Sequence, residues 1–157
     1  MKRRNGFNNK GFSMVELIIV IAIMAILAAA LAPVLIKYIN KSRISSDIDT
    51  GKAVASAIMA VIADGGDFND QASIHAAPFP VNSMDGADFK EEVFSVLGEQ
   101  SGTLQGKAKK DMFGDPLDME FYYTLDTTKN MVEVYYGGTD SSNQIYPKLG
   151  SKLSGEQ

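Results

Sequence analysis

The chain has 157 residues, 45% of them hydrophobic, and its 15 basic and 19 acidic side chains give a formal net charge of −4. It contains no cysteine, which excludes disulfides, zinc–thiolate sites and thiol nucleophiles. The acidic balance argues against a nucleic-acid partner, and the length fits one domain with an attached segment.

The first element is a short basic segment followed by a long apolar run. Residues 1–11 carry four bases and no acid, so the rest of the chain has 11 bases and 19 acids. Residues 17–36 include no charge, and as a helix of about 30 Å they would span the hydrocarbon core of a bilayer. Because a basic N-terminal flank stays in the cytoplasm, we expect the C-terminal part to lie outside.

Three interpretations of this N-terminus compete. A secretory signal peptide, cleaved near the alanines at 28–30, explains the basic start, but the apolar run continues past them and Glu16 interrupts the junction. A plain single-pass anchor explains the run but not Glu16, because a carboxylate in apolar surroundings costs free energy. The simplest structural explanation of Glu16 is that its acid reaches water in the headgroup zone.

The third interpretation rests on residue identities within 10–36. A short basic leader ends in a glycine, an aromatic residue follows, a carboxylate lies four residues later, and a helix-breaking proline comes further on. These features are Gly11, Phe12, Glu16 and Pro33. Together they resemble the N-terminus of type IV pilins and the related pseudopilins.

The resemblance implies a maturation pathway. A membrane-embedded prepilin peptidase would cut the Gly11–Phe12 bond, remove residues 1–11 as a leader and methylate the new amine of Phe12. Glu16 would then pair with the Phe12 ammonium of a neighbouring subunit, which offsets the cost of burying the acid and sets the register between subunits. A cytoplasmic assembly ATPase and a membrane platform protein would extrude the subunits, since moving a helix from lipid to a filament core gains little hydrophobic free energy.

Pro33 is expected to kink or open the membrane helix, because it lacks an N–H and clashes with the preceding turn. Similar proteins often have a glycine where this chain has Ala25. Alanine favours the helix by up to about 1 kcal/mol over glycine, so we expect opening near Pro33 rather than at residue 25. Ser13 and Met14 are milder departures from the commoner residues of the family.

Beyond residue 36 the pattern becomes amphipathic. A basic collar of Lys37, Lys41 and Arg43 is followed by apolar positions at three- and four-residue steps, which predict one buried stripe: Ile44, Ile48, Gly51, Ala55, Ile58 and Ile62. The polar residues between them are assigned to other faces: Asp47, Asp49, Lys52 and Ser56. Residues 12–63 are therefore predicted to form one helix of about 75 Å, with residues 17–36 as the transmembrane segment and filament core.

Residues 64–157 are predicted to form a globular head. Residues 64–84 and 98–118 are rich in glycine, proline and small polar residues and are predicted to be loops. Residues 85–97 start at an aspartate, carry one apolar face and end before Gly98, which predicts a short helix.

The C-terminal part of the head is predicted to be a small antiparallel sheet. Residues 119–125 and Met131–Tyr136 have strand composition, and the turn at 126–130 makes them a hairpin. Gln144–Tyr146 is a candidate third strand. A long N-terminal spine helix packed on this sheet gives an α+β, pilin-like fold.

Candidate metal sites in the head are weak. Residues 113–116, FGDP, resemble the aromatic-Gly-x-Pro segment of major pseudopilins, which can bind calcium in a C-terminal loop. Here residues 137–143 supply a single carboxylate, less charge than calcium prefers, and the acids of residues 64–70 miss the EF-hand spacing. We therefore expect no metal and no other cofactor.

An enzyme is not expected either. The only histidine, His75, has no patterned nucleophile beside it, and no phosphate-binding loop or paired acid motif is present. Four tyrosines fall in adjacent predicted strands and are interpreted as cross-strand packing partners, with a surface for sugar or neighbouring subunits as the alternative: Tyr122, Tyr123, Tyr135 and Tyr136.

The predicted function is therefore structural. The chain would be made as a single-pass membrane precursor and, after leader cleavage, would polymerise with itself into an extracellular type IV pilus. Adhesion and twitching motility are functions of such filaments. The nearest alternative is a pseudopilin of a secretion or DNA-uptake system, and a secreted binding module cleaved near Leu31 is a more distant one.

Overall fold

The computed structural model describes residues 11–64, 77–84, 87–99, 102–126 and 131–155. The chain divides into two compact units between Tyr38 and Ile39. Helix α1 runs from Met14 to Asp64, and Pro33 lies inside it without ending it. The kink expected at Pro33 stays a prediction.

In the first unit every residue from Gly11 to Tyr38 is exposed to solvent in the isolated chain. Helix α1 is apolar around its whole circumference here, with a mean hydropathy of 3.0 over its most apolar stretch. By length and composition it can cross a membrane. A helix that is apolar on all sides needs lipid or other helices around it.

In the second unit α1 has one buried face. Ile44, Gly51, Ala55 and Ile58 are buried, and Ile48 and Ile62 pack against the core, which confirms the predicted stripe. The buried face is wider than predicted, since it also includes Val54, Ala57 and Val61. The assignment of Asp47 to an outer face is wrong, because this residue is only 2% exposed.

The sheet has four antiparallel strands in the order β1–β2–β3–β4. The strands are β1 (Phe79–Pro80), β2 (Phe121–Asp126), β3 (Met131–Tyr136) and β4 (Gln144–Tyr146). The predicted hairpin is confirmed as β2 and β3, and the predicted third strand is confirmed as β4.

Alternating residues of the two central strands enter the core. They are Phe121, Tyr123 and Leu125 of β2 and Val132, Val134 and Tyr136 of β3. They share one hydrophobic cluster with the buried face of α1. This arrangement confirms the α+β fold predicted from the sequence, with a long N-terminal helix packed on a small sheet.

Four short elements were not predicted. Strand β1 and the 3₁₀ turn Val81–Ser83 lie in a segment predicted to be loop, and a second 3₁₀ turn covers Ser141–Asn143. Helix α2 (Ala87–Leu97) confirms the short helix of the head, and a final helix α3 covers Ser151–Ser154. Asp126, predicted as the start of a turn, is the last residue of β2, and the rest of that turn, residues 127–130, lies outside the described residues, as do residues 65–76 of the loop predicted at 64–84.

Candidate functional site

The N-terminal end of α1 is capped by two side-chain hydrogen bonds. The Ser13 hydroxyl accepts the N–H of Val15 at 3.3 Å, and Oε2 of Glu16 accepts the N–H of Ser13 at 3.0 Å. The bond from Ser13 to Glu16 is that of a capping box, whereas the Ser13 hydroxyl accepts from Val15 and not from Glu16. Both bonds satisfy N–H groups that have no partner within the helix. Glu16 therefore has a local role in starting the helix, which the sequence interpretation missed although the S-x-x-E pattern signals it.

The bond proposed for cleavage lies just before this cap. Gly11, Phe12 and Ser13 are outside α1, the Phe12 side chain is 90% exposed, and the space around Gly11 is open. A peptidase requires such an accessible, non-helical peptide, because it must bind the chain in an extended form. The structure thus places Gly11, Phe12 and Glu16 within one short segment, whereas Pro33 lies further along the helix.

The helix that follows presents an apolar surface with small residues on it. Its large exposed side chains include Leu17, Ile18, Val20 and Ile21. Exposed alanines accompany them: Ala22, Ala25, Ala28, Ala29, Ala30 and Ala32. Small residues let helix backbones approach closely, which is how helices associate when lipid provides the same apolar surroundings.

A second site, in the head, is built around the buried Asp47. Both oxygens of its carboxylate accept the N–H of Lys107 at 2.9 Å, and Oδ2 also accepts the N–H of Ala108 at 2.7 Å. The Lys107 ammonium donates to the Ser46 hydroxyl at 3.1 Å. One acid of α1 therefore fastens the irregular segment before β2 to the helix.

Tyr136 completes this cluster. Its hydroxyl donates to the carbonyl of Ala108 at 2.5 Å, and its ring is fully buried. Burial, followed by the negative charge of Asp47, raises the pKa of Tyr136 above its ordinary value. The tyrosine is thus held in its neutral, hydrogen-donating form, which suits a structural contact.

The backbone at Gly106 packs directly against the Tyr136 ring, which leaves no room for a side chain. We therefore expect Gly106→Ala to destabilise the head. A Cβ at this position would lie inside van der Waals contact of the Tyr136 ring. Because a buried ring has little room to move, we expect a loss of about 1–3 kcal/mol in the free energy of unfolding, measured by urea denaturation of the full chain in detergent.

The control for this prediction is the same substitution in a Tyr136→Leu background. There the ring is absent, so adding the methyl group should cost much less. A Gly106→Ala chain with an unchanged urea midpoint would contradict the close packing.

The segment FGDP, at residues 113–116, is shaped by another buried acid. Asp111 is 1% exposed, and its Oδ1 accepts the N–H groups of Phe113, Gly114 and Asp115 at 2.8–2.9 Å. Gly114 has a φ of +101°, which favours glycine. The side chain of Asn40 donates to the carbonyls of Lys110 and Asp111 at 3.1 and 3.2 Å, so this loop also rests on α1.

The one acid of residues 137–143 is engaged by protein donors. Asp140 accepts the Ser142 N–H at 2.8 Å and the Ser142 hydroxyl, and its other oxygen lies 3.7 Å from the Lys152 ammonium. The Ser142 hydroxyl above all, with the Lys152 charge assisting, lowers the pKa of Asp140. Within the described ranges, no three acids, histidines or cysteines gather as they would around a metal.

Two tyrosines of the hairpin are cross-strand partners of each other, whereas Tyr123 faces Val134 and Tyr136 faces Phe121. Tyr122 faces Tyr135 across β2 and β3, and their hydroxyls donate to Asp118 and Glu133 at 2.7 and 2.8 Å. Burial, with these carboxylates adding to it, raises the pKa of both tyrosines. His75 and the acids at 67 and 70 lie outside the described residues.

Comparison with known families identifies the N-terminal segment. Residues 6–32 match the family model of the prokaryotic N-terminal methylation motif. This motif is the leader signature of type IV pilins and pseudopilins, so the predicted resemblance is confirmed for this segment. No curated protein and no solved structure matches the chain.

The matched segment includes Gly11, Phe12 and Glu16. It identifies a type IV pilin-like or pseudopilin N-terminus and, with the apolar helix, fits a precursor anchored in the membrane. In general such leaders are processed by a prepilin peptidase, and the motif suggests a structural protein.

Proposed function

We propose that this protein is a structural subunit that polymerises into an extracellular type IV pilus after its leader, residues 1–11, is removed. The observation that carries the proposal is the methylation motif, which continues directly into a helix that is apolar and exposed on all sides. A helix of this kind needs lipid around it in the precursor and sister helices around it in a filament.

Maturation in this proposal changes the charge next to Glu16. Hydrolysis of the Gly11–Phe12 bond turns a neutral peptide nitrogen into the amine of Phe12, which stays cationic when the peptidase methylates it. A new positive charge then lies four residues before the acid in sequence. In the precursor this charge does not exist, so pairing between subunits depends on cleavage.

Glu16 has capacity for such a partner. Its Oε2 accepts the Ser13 N–H, whereas its Oε1 accepts no hydrogen bond from any described residue. A carboxylate surrounded by lipid or apolar helices is costly unless it is paired. The Phe12 ammonium of a neighbouring subunit supplies a partner of opposite charge and fixes the axial offset between two helices.

The remaining assembly free energy comes from helix packing. Lipid tails are as apolar as leucine side chains, so leaving the bilayer gains little hydrophobic free energy. The exposed alanines of α1 allow close contact, and opening near Pro33 would let the helix adapt to its neighbours. Extraction then requires work from an assembly ATPase acting through a platform protein.

The first test is the N-terminal sequence of the mature protein. Phe12 as the first residue supports the pilin proposal, whereas a start near Leu31 would show that the alanines are a signal-peptidase site and that the protein is secreted. Mass spectrometry of the same sample shows whether the Phe12 amine carries a methyl group.

Gly11→Val should leave an uncut precursor in the membrane. A branched side chain at the position before the scissile bond blocks the close approach that glycine permits, and the intact mass should then still include residues 1–11. The matched control is Gly6→Val, which adds the same bulk within the leader but away from the bond. Normal maturation of the Gly11→Val chain would show that the bond is elsewhere.

A pseudopilin of a secretion or DNA-uptake system is the second candidate. It is favoured by the segment at residues 113–116, which resembles that of major pseudopilins and forms a closed loop around Asp111. Both candidates share the same maturation chemistry. Electron microscopy of cells separates them, since a pilus is a long surface fibre and a pseudopilus is short.

A further inference from the structure

The second unit carries exposed bases at the end that includes the start of its part of α1. Four of them, Lys41, Arg43, Lys109 and Lys110, are exposed. None of the four forms an ion pair with a described residue. We refer to these four side chains as the basic rim.

Hydrogen bonds place the two backbone segments that carry the basic rim side by side. The side chain of Asn40 in α1 binds the backbone of Lys110 and Asp111. About two helical turns further along α1, Asp47 binds the backbone of Lys107 and Ala108. The segment 107–111 therefore runs antiparallel to residues 40–47, over a length of about 10 Å. Lys109 and Lys110, from a distant part of the sequence, are thus held on the same stretch of α1 that carries Lys41 and Arg43.

The acids nearby differ from these bases in orientation. The carboxylates of Asp47 and Asp111 are buried and accept backbone N–H groups, so they are directed into the unit. Asp115 and Asp118 are exposed acids of the segment that follows, and neither forms an ion pair with the basic rim. With four exposed bases against these two exposed acids, the outward-facing charge at this end is positive on balance.

The bases that follow the apolar run oppose the membrane orientation that the basic leader favours. Three bases, Lys37, Lys41 and Arg43, follow the apolar run closely, against four in the leader. Bases close to a membrane segment favour the cytoplasmic side, so those on the outer side weaken the orientation that the leader sets. Cationic side chains just beyond a membrane helix have a favourable partner when the adjacent lipid headgroups are anionic.

We propose that the basic rim binds the phosphates of anionic phospholipid headgroups in the membrane that holds the precursor. This proposal rests on the membrane-anchored precursor of the proposed function. Binding would hold the head at the bilayer surface until the subunit is extracted. Because the attraction is between exposed charges, high salt should abolish it.

The test uses the full-length chain in lipid nanodiscs of phosphatidylcholine, alone or mixed with phosphatidylglycerol. Hydrogen–deuterium exchange of the peptide covering residues 105–112 is the measurement. We expect exchange to be about tenfold slower in the discs with phosphatidylglycerol, and this difference to vanish at high salt.

Matched variants assign the effect to the basic rim. Lys109→Gln/Lys110→Gln should remove the difference between the two lipids, whereas Lys52→Gln/Lys148→Gln, which removes the same charge from other exposed positions, should keep it. Equal exchange of the wild-type chain in both lipids, with the chain inserted in both, would overturn the lipid proposal and leave the membrane anchor intact.

Two further results would overturn it. If duplex DNA added to the neutral discs slows exchange as much as phosphatidylglycerol does, the basic rim binds polyanions in general and is not selective for lipid. If the chain does not insert into discs of either composition, the membrane anchor fails and the lipid proposal fails with it.

Discussion

Glu16→Ala should give a chain that is cut at Gly11–Phe12 but does not form filaments. The acid lies beyond the scissile bond, so the peptidase substrate stays intact, whereas the partner for the Phe12 ammonium is lost. Removing one member of a buried ion pair costs about 3–5 kcal/mol because the remaining charge is left without compensation. At every subunit contact this lowers the association constant more than a hundredfold. The measurement is the amount of filament sheared from a given number of cells.

Glu16→Gln separates the two roles of this residue. Glutamine can still accept the Ser13 N–H and complete the capping box, but it carries no charge. We expect Glu16→Gln to fail in assembly nearly as completely as Glu16→Ala. Normal filaments from the glutamine variant would mean that helix capping, and not pairing with Phe12, is what assembly requires.

Glu99→Ala is the control for both variants, since Glu99 is an exposed acid of the head. It should mature and assemble normally. The mass of the N-terminal peptide must be measured in all three variants, so that a failure of cleavage is not mistaken for a failure of assembly.

Asp47→Ala should be the most damaging single change in the head. It leaves the part-buried N–H of Lys107 and the buried N–H of Ala108 without an acceptor, and a buried group of this kind costs about 1–3 kcal/mol. The sum is a large share of the 5–15 kcal/mol that is typical for a whole domain. Urea denaturation of the full chain in detergent, followed by circular dichroism, measures the loss.

Asp49→Ala is the matched control for this change. Asp49 lies on the same helix, two residues further on, and is exposed, so its removal should alter the free energy of unfolding by no more than about 0.5 kcal/mol. Asp47→Asn should fall between the two, because its amide oxygen still accepts a hydrogen bond. Equal urea midpoints for Asp47→Ala and Asp49→Ala would contradict the role given to Asp47.

The N-terminal methylation motif could be predicted because its signals are contiguous. Gly11, Phe12 and Glu16 lie within one short stretch, and the apolar run and the stripe from Ile44 repeat with helical spacing. The hairpin was predictable for the same reason, since Met131–Tyr136 has strand composition and a turn precedes it. Local patterns of this kind require no knowledge of distant contacts.

The Asp47 cluster could not be predicted in this way. Its partners lie 60 and 61 residues away in sequence, and they are backbone N–H groups, which every residue except proline possesses. An acid between apolar positions on a helix is therefore assigned to the solvent side by default. Strand β1 was missed because two residues, one of them proline, are too few to show alternation.

The attachment of residues 107–111 to α1 has a consequence for how this surface can change over generations. Asp47 and Asn40 hold the segment through main-chain groups, so the fastening does not depend on which side chains point outward. Lys109 and Lys110 can be replaced by other residues without loosening it. Sequence variation at these two positions is therefore compatible with an unchanged scaffold.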